Sequence, residues 1–191
     1  MKVANAAVSI RRGMRYDLAM SKQKVMTATP IPTLLESTAK FSECRKYRYT
    51  LHRIWDPNKP YCMFVGLNPS TADEIQNDPT VRRCIGYAID WGFGGLVMTN
   101  IFGFRATDPR DMKACEEPVG SRNNYWLKRI SAGAGLTVCA WGNHGTHLSR
   151  SDDVYPLLTK PHALKVTGTG EPSHPLYLKK DLEAVPYVRE I

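Results

Sequence analysis

Asn68 lies in the turn Gly66-Leu67-Asn68-Pro69-Ser70, behind an apolar run and ahead of a helix start at Asp78-Pro79-Thr80. A polar turn that joins a strand to a helix falls at the carboxyl edge of a sheet, where open α/β folds bind ligands. An amide there positions a ligand or a water; it is not a strong general base. Pro69 restricts the Asn68 backbone to extended conformations. The same residue type also serves simply to cap its own turn. Ser70, Thr71 and Ser173 are candidate nucleophiles only beside a base, and no Gly-x-Ser-x-Gly run is present.

A second chemical group, His174 followed by Pro175, comes after the last apolar run. Arg82, Arg83 and Arg105 flank loops at the same expected edge and are the best phosphate-binding candidates. Asp78 can orient one of these arginines, although a helix N-cap is sufficient reason for it. Phe102 and Phe104 are candidates for stacking on a base, with local core as the alternative. His144 and His147 lack the helical i, i+4 register of zinc hydrolases, so no metal is expected. Neither a Walker A run nor Gly-x-Gly-x-x-Gly occurs, and no cofactor is implied.

These groups need a scaffold. Tyr47 to Trp55 alternates bulky and polar residues and reads as an edge strand. The turn Asp56 to Pro60 then leads into a buried strand at Tyr61–Val65, giving an expected antiparallel hairpin. Thr80 to Trp91 sets Val81, Cys84, Ile85, Ala88 and Ile89 on one helical stripe, stopped by Gly92. Gly95–Asn100 is a second buried strand, followed by a long loop from Ile101 to Arg110. Asn123–Ser131 reads as a helix and Leu136–Trp141 as a third central strand, ending in Gly142-Asn143-His144-Gly145. Leu148–Leu158 is expected to be helical, and Ala163–Val166 to be a fourth strand. Alternating strands and helices imply a mostly parallel sheet covered on both faces.

Of the net charge of +8, residues 1–48 carry +7, with ten basic and three acidic side chains. The remainder holds sixteen basic and fifteen acidic side chains, so its balance weighs little for a nucleic-acid partner. A basic arm can hold phosphate backbones nonspecifically. Residues 1–38 read as a mobile leader with a short helix near Met14–Lys24, and Met14, Met20 and Met26 are alternative starts. Residues 39–191 are expected to form a single domain whose fold begins near Phe41. Five cysteines without a Cys-x-x-Cys pair exclude zinc ribbons of standard spacing. The sequence has neither a membrane-length apolar run nor a secretory apolar core, so a cytoplasmic protein without a membrane partner is expected; nothing in the sequence fixes the oligomeric state, and a monomer is the default.

The order of signals resembles the uracil-DNA glycosylase superfamily. There, a strand leads into a Gly-x-[Asp/Asn]-Pro turn, a later strand ends in Trp-Gly, and the last opens into His-Pro. The counterparts are Gly66-Leu67-Asn68-Pro69, Val138 to Gly142, and His174-Pro175. More closely, Phe41 to about Tyr187 resembles the DUF1643 family of bacterial and phage proteins. That likeness lies in YRYTLHRIWD, FVGLNPSTAD, NDPTVRRC and TNIFGFRATDP.

The glycosylase resemblance implies a three-layer α/β/α fold with a central, mostly parallel four-stranded sheet and an N-terminal hairpin. It gives Asn68 the role of holding a water and His174 that of stabilising a departing base. Leu176 and Tyr177 would form an apolar wedge into DNA, although the family's His-Pro-Ser-Pro is absent. Gly66, Leu67, Pro69, Asn143 and Pro175 complete the expected substrate-binding set. The function implied is hydrolysis of an N-glycosidic bond to a damaged or modified base in DNA, with DNA or a nucleotide as partner. The alternatives are a non-catalytic nucleotide- or nucleic-acid-binding module and a phage-type base-modification transferase.

Overall fold

The computed structural model describes residues 30–189. The expected leader helix near Met14–Lys24 lies outside the described residues. Strands β1 (Glu36–Phe41), β2 (Arg48–Ile54) and β3 (Tyr61–Gly66) come first, followed by helix α1 (Pro79–Asp90). Next are β4 (Gly95–Asn100), α2 (Pro109–Ala114), α3 (Asn123–Gly133) and β5 (Leu136–Cys139). Helix α4 (Arg150–Val154), flanked by 3₁₀ turns at Asn143–Ser149 and Tyr155–Leu157, then β6 (Pro161–Ala163), a 3₁₀ turn at Pro175–Tyr177 and β7 (Val185–Pro186) complete the order. β1 starts ahead of the expected beginning of the fold. Its polar residues and half-exposed pattern carry no apolar signal.

Among the described residues the strands form one seven-stranded mixed sheet in the order β1-β2-β4-β3-β5-β6-β7. Its middle, β4-β3-β5-β6, is parallel, and the flanking pairs are antiparallel. The expected β2–β3 hairpin does not form, because β4 lies between the two strands and pairs with both. β3 is almost wholly buried, and parallel neighbours on both sides satisfy its backbone. β2 is likewise an interior strand rather than an edge, since β1 covers it. β6 shares only Ala163 with the expected Ala163–Val166 strand, beginning two residues earlier and ending there. The helix expected over Leu148–Leu158 is only α4 between 3₁₀ turns, broken where Leu148 and Ser149 adopt left-handed φ values of 54° and 51°.

Alternate residues of the central strands face two separate cores. Cys62, Phe64, Leu96, Met98 and Val138 meet Val81, Cys84, Ile85 and Ala88 of α1. Met63, Val65, Val97 and Cys139 meet Leu127 and Ile130 of α3 and Val154 of α4. Helices therefore cover both faces. Each of these buried aliphatic or aromatic side chains contributes about 1.5–3 kcal/mol. α1 begins as its sequence predicts: Asp78 Oδ1 accepts from Val81 N at 2.8 Å, and Pro79 occupies the first turn. No helix among the described residues is long and apolar enough to cross a membrane.

Candidate active site

The turn behind β3 stays zipped to the chain behind β4. The carbonyls of Gly66, Leu67 and Pro69 accept from Ile101, Phe102 and Ala106, each at 2.9 Å. Asn68 completes this seam: its Nδ2 donates to Ala106 O at 2.7 Å and to Pro69 O at 3.1 Å. Two carbonyl acceptors fix which end of the amide is nitrogen. The Oδ1 finds no protein donor among the described residues. Asn68 is half-buried; its Nδ2 caps the turn, and its Oδ1 is left as an acceptor.

Two residues absent from the expected set stand beside it. Asn100 ends β4, pairs in register with Gly66 and is only 4% exposed. Its Oδ1 accepts from Arg48 Nη2 at 3.4 Å, which turns Nδ2 towards Gly66. A Cβ on Gly66 would approach that Nδ2 to 2.7 Å, so the glycine makes the room. The Asn100 Nδ2 has no acceptor within the described protein and is not sealed from solvent.

Arg48 is 2% exposed and also donates to Ala72 O at 2.6 Å, while its Nε is buried without a partner. Burial lowers its pKa to about 10, with attraction from Asp78 opposing, so the guanidinium is still charged at neutral pH. Arg48 reaches this edge because β2 runs antiparallel to β4 and its own N–H bonds Gly103 O at 2.9 Å.

His174 approaches the same edge from the other side. It follows β6, and Pro172 O accepts from Gly142 N at 2.8 Å, which pins its loop behind β5. An added Cβ on Gly142 would lie 3.9 Å from the His174 Cβ. Leu176 N donates to His174 Nδ1 at 3.4 Å, which requires that nitrogen to be unprotonated. The neutral ring then carries its proton on Nε2. Burial pushes the His174 pKa down, against the pull of nearby Asp78, and so favours that neutral form. Tyr177 is 85% exposed and its ring lies 5.6 Å from the His174 ring.

The other expected residues divide. Ser70, Phe104 and Arg105 come together in a cavity of about 490 Å³, joined there by Arg45, Lys46 and Thr71. Arg82 is exposed and folds onto Asn77 O, and half-buried Arg83 has a buried Nη1 without a partner. Asn143 accepts from Thr169 Oγ1 at 3.0 Å and tethers the loop before His174. Leu67, Pro69 and Pro175 are buried supports, and Leu176 is half-buried. Phe102 is a correction: it has no exposed surface and packs in the core against His147, so no base can stack on it. No group of three metal-ligating side chains occurs among the described residues, and His144 instead meets Lys113 Nζ at 3.1 Å.

Asn100 and Arg48 were hidden because their roles depend on strand pairing. The usable signals were a polar residue closing an apolar strand and an arginine opening a bulky one. No curated protein and no solved structure matches the chain. A family model described as "protein of unknown function (DUF1643)" matches residues 48–176, more than half of the chain. The match begins at Arg48, ends at Leu176 and encloses Asn68, Asn100 and His174; the chain belongs to the DUF1643 family.

Proposed function

We propose that this protein recognises a nucleobase at the edge formed by Asn68, Asn100 and His174 and hydrolyses its N-glycosidic bond, within a three-layer, uracil-DNA-glycosylase-like arrangement. The observation that carries the reading is a pair of oriented, neutral groups at one sheet edge. Asn68 presents an acceptor whose amide is fixed by two carbonyls, and His174 carries an Nε2 proton with no protein partner. When the bond between base and sugar breaks, its electron pair leaves with the base and the sugar carbon becomes electron-poor. The Asn68 Oδ1 accepts from a water and aims it at that carbon. The His174 Nε2–H donates to the base as negative charge develops. The Asn100 Nδ2 supplies a donor for the base edge. The new carbon–oxygen bond forms from the water, whose proton passes to solvent or to the released base.

The test is release of free base from single- and double-stranded oligonucleotides carrying uracil or one of a panel of damaged and modified bases, read by mass spectrometry. Asn68→Ala and His174→Ala are expected to slow release by about 10²-fold or more. Absence of release from every substrate by folded protein overturns the hydrolase reading.

A second reading is a binding module without turnover. Its support is the commitment of both Asn68 Nδ2 protons to the backbone, which suits a structural strut. Base binding that persists in Asn68→Ala, without release, selects it.

A further inference from the structure

The cavity beside Asn68 is walled by three loops: Arg45 and Lys46 ahead of β2, Ser70 and Thr71 behind β3, and Phe104 and Arg105 behind β4. Its volume of about 490 Å³ falls within the ~300–1,000 Å³ of small-ligand sites. Three of these six side chains are cationic and two are hydroxyls; Ala106 and Thr107, the latter with a third hydroxyl, complete the wall.

Arg45 is partly neutralised by Glu74 at 3.1 Å. Lys46 and Arg105 have no carboxylate partner among the described residues. Arg105 is nevertheless held in place. Its N–H donates to Lys46 O at 2.9 Å, its Nη1 donates to Arg45 O at 3.3 Å, and its guanidinium lies 5.0 Å from the Phe41 ring centre. Its Nε is buried and without a partner. The backbone N–H groups of Ser70 and Thr71 also find no acceptor among the described residues. A fixed guanidinium, a free ammonium, two hydroxyls and two open amides line one cavity, and the nearest carboxylates stay at its margin: Glu74 is paired with Arg45, and Asp73 feels the Arg105 charge without an ion-pair contact to it.

We propose that this cavity binds the phosphate of a nucleotide, with Arg105, Lys46, Ser70 and Thr71 on the phosphoryl oxygens and Phe104 as the apolar wall. It rests on the base-recognition reading for the identity of what carries the phosphate. Phosphate suits the site better than a peptide carboxylate. It has several acceptor oxygens for a guanidinium, hydroxyls and amides to share. The strand order sets the geometry: the cavity lies over the ends of β2, β4 and β3, and His174 over β5, with Asn68 between them. A nucleotide spanning the two puts its base towards Asn68 and its phosphate away from His174. The phosphate belongs either to a free nucleotide or to a strand.

The experiment measures binding to the full chain of a nucleoside monophosphate, of a short single-stranded oligonucleotide and of inorganic phosphate as competitor. Lys46→Glu, an exposed side chain whose loss leaves the fold intact, is expected to weaken nucleotide binding about 10-fold or more. Arg105→Gln is expected to do the same, and Lys128→Glu, an exposed position on α3 with the same charge change as Lys46→Glu, to leave it unaltered. Monophosphate binding displaced by inorganic phosphate identifies a free nucleotide; oligonucleotide binding alone identifies a strand. Equal binding by parent and Lys46→Glu, equal weakening by Lys128→Glu, or equal displacement by polyglutamate overturns the proposal. Base release that persists with an unaltered cavity phenotype removes the cavity and keeps the hydrolase. Binding lost in Lys46→Glu without base release from any substrate removes the hydrolase and keeps the cavity.

Discussion

The loop behind β3 and the loop behind β6 carry the two central side chains of the proposed site and are anchored by charges of opposite sign. Behind β3, the anchors are the cations Arg48 and Arg53, both fully packed against the loop they hold. Arg53 donates from Nε to Asn77 Oδ1 at 2.8 Å and from Nη2 to the carbonyls of Asp73 and Gln76; Arg48 takes the Ala72 carbonyl. The loop thus wraps its own backbone around two guanidinium groups. Behind β6, the anchor is a carboxylate, Glu171, 1% exposed. It accepts from Trp141 Nε1 at 2.6 Å, Ser151 Oγ at 3.0 Å and Arg189 Nη1 at 2.8 Å. Those donors come from the end of β5, from α4 and from the segment beyond β7. A buried charge must be met by hydrogen bonds, and the two loops meet that demand differently. One uses main-chain carbonyls that survive most substitutions, the other uses three side chains from distant parts of the sequence.

The sharpest test of this contrast compares Glu171→Ala with Asn77→Ala. Removing the carboxylate leaves the Trp141 N–H and the Ser151 hydroxyl without their acceptor and leaves Arg189 to Asp152 alone among its carboxylate partners in the described residues, and the expected loss is about 3 kcal/mol in urea unfolding. Removing the Asn77 side chain costs Arg53 one bond among several, an expected ~1–1.5 kcal/mol. Equal losses would break the contrast.

Asn68→Asp is expected to come next, at about 1–3 kcal/mol at neutral pH. A carboxylate there turns an acceptor towards the carbonyls of Pro69 and Ala106, which now receive N–H donors. That raises the folded-state pKa of the new group above its unfolded value. The penalty is therefore fully present above the folded pKa and shrinks as pH falls through it, because the protonated acid regains one donor. A penalty independent of pH would mean that the seam opens instead.

The smallest effect concerns Asp78, whose charge raises the His174 pKa against the lowering by burial. Asp78→Asn keeps a good helix N-cap and is expected to move the His174 titration to still lower pH, followed by NMR. The sign for stability follows. The folded imidazole binds its proton less readily than the unfolded one, so its destabilising contribution is absent above the unfolded value of about 6.5. It grows as pH falls through the window below that value. An upward shift in Asp78→Asn would contradict the placement of that carboxylate.

The parts of the fold legible in the sequence were those with a local cause. α1 announced itself through Asp78, Pro79 and the stripe from Val81 to Ala88, and β3 and β4 through apolar runs. β1 escaped because its inward face offers only Ser37, Ala39 and Phe41, too weak an alternation to stand out, and α2 because six residues hold too little period. The pairing of β2 was misread because sequence neighbours are usually sheet neighbours, whereas β4 inserts between β2 and β3. The same insertion explains the site. Asn68 and His174 stood in turns marked by their own prolines. Arg48 and Asn100 acquire meaning only when the start of β2 meets the end of β4.

The position of Arg189 has a consequence for synthesis. A nascent chain emerging from the ribosome presents β3, β4, β5 and β6 before the guanidinium that meets Glu171 has been made. Until then the loop bearing His174 holds a carboxylate that lacks its cation. The Asn68 side, whose arginines precede their loop, can set first. Assembly of the pocket is therefore ordered in time, and its closing step waits on the segment beyond β7 that carries Arg189.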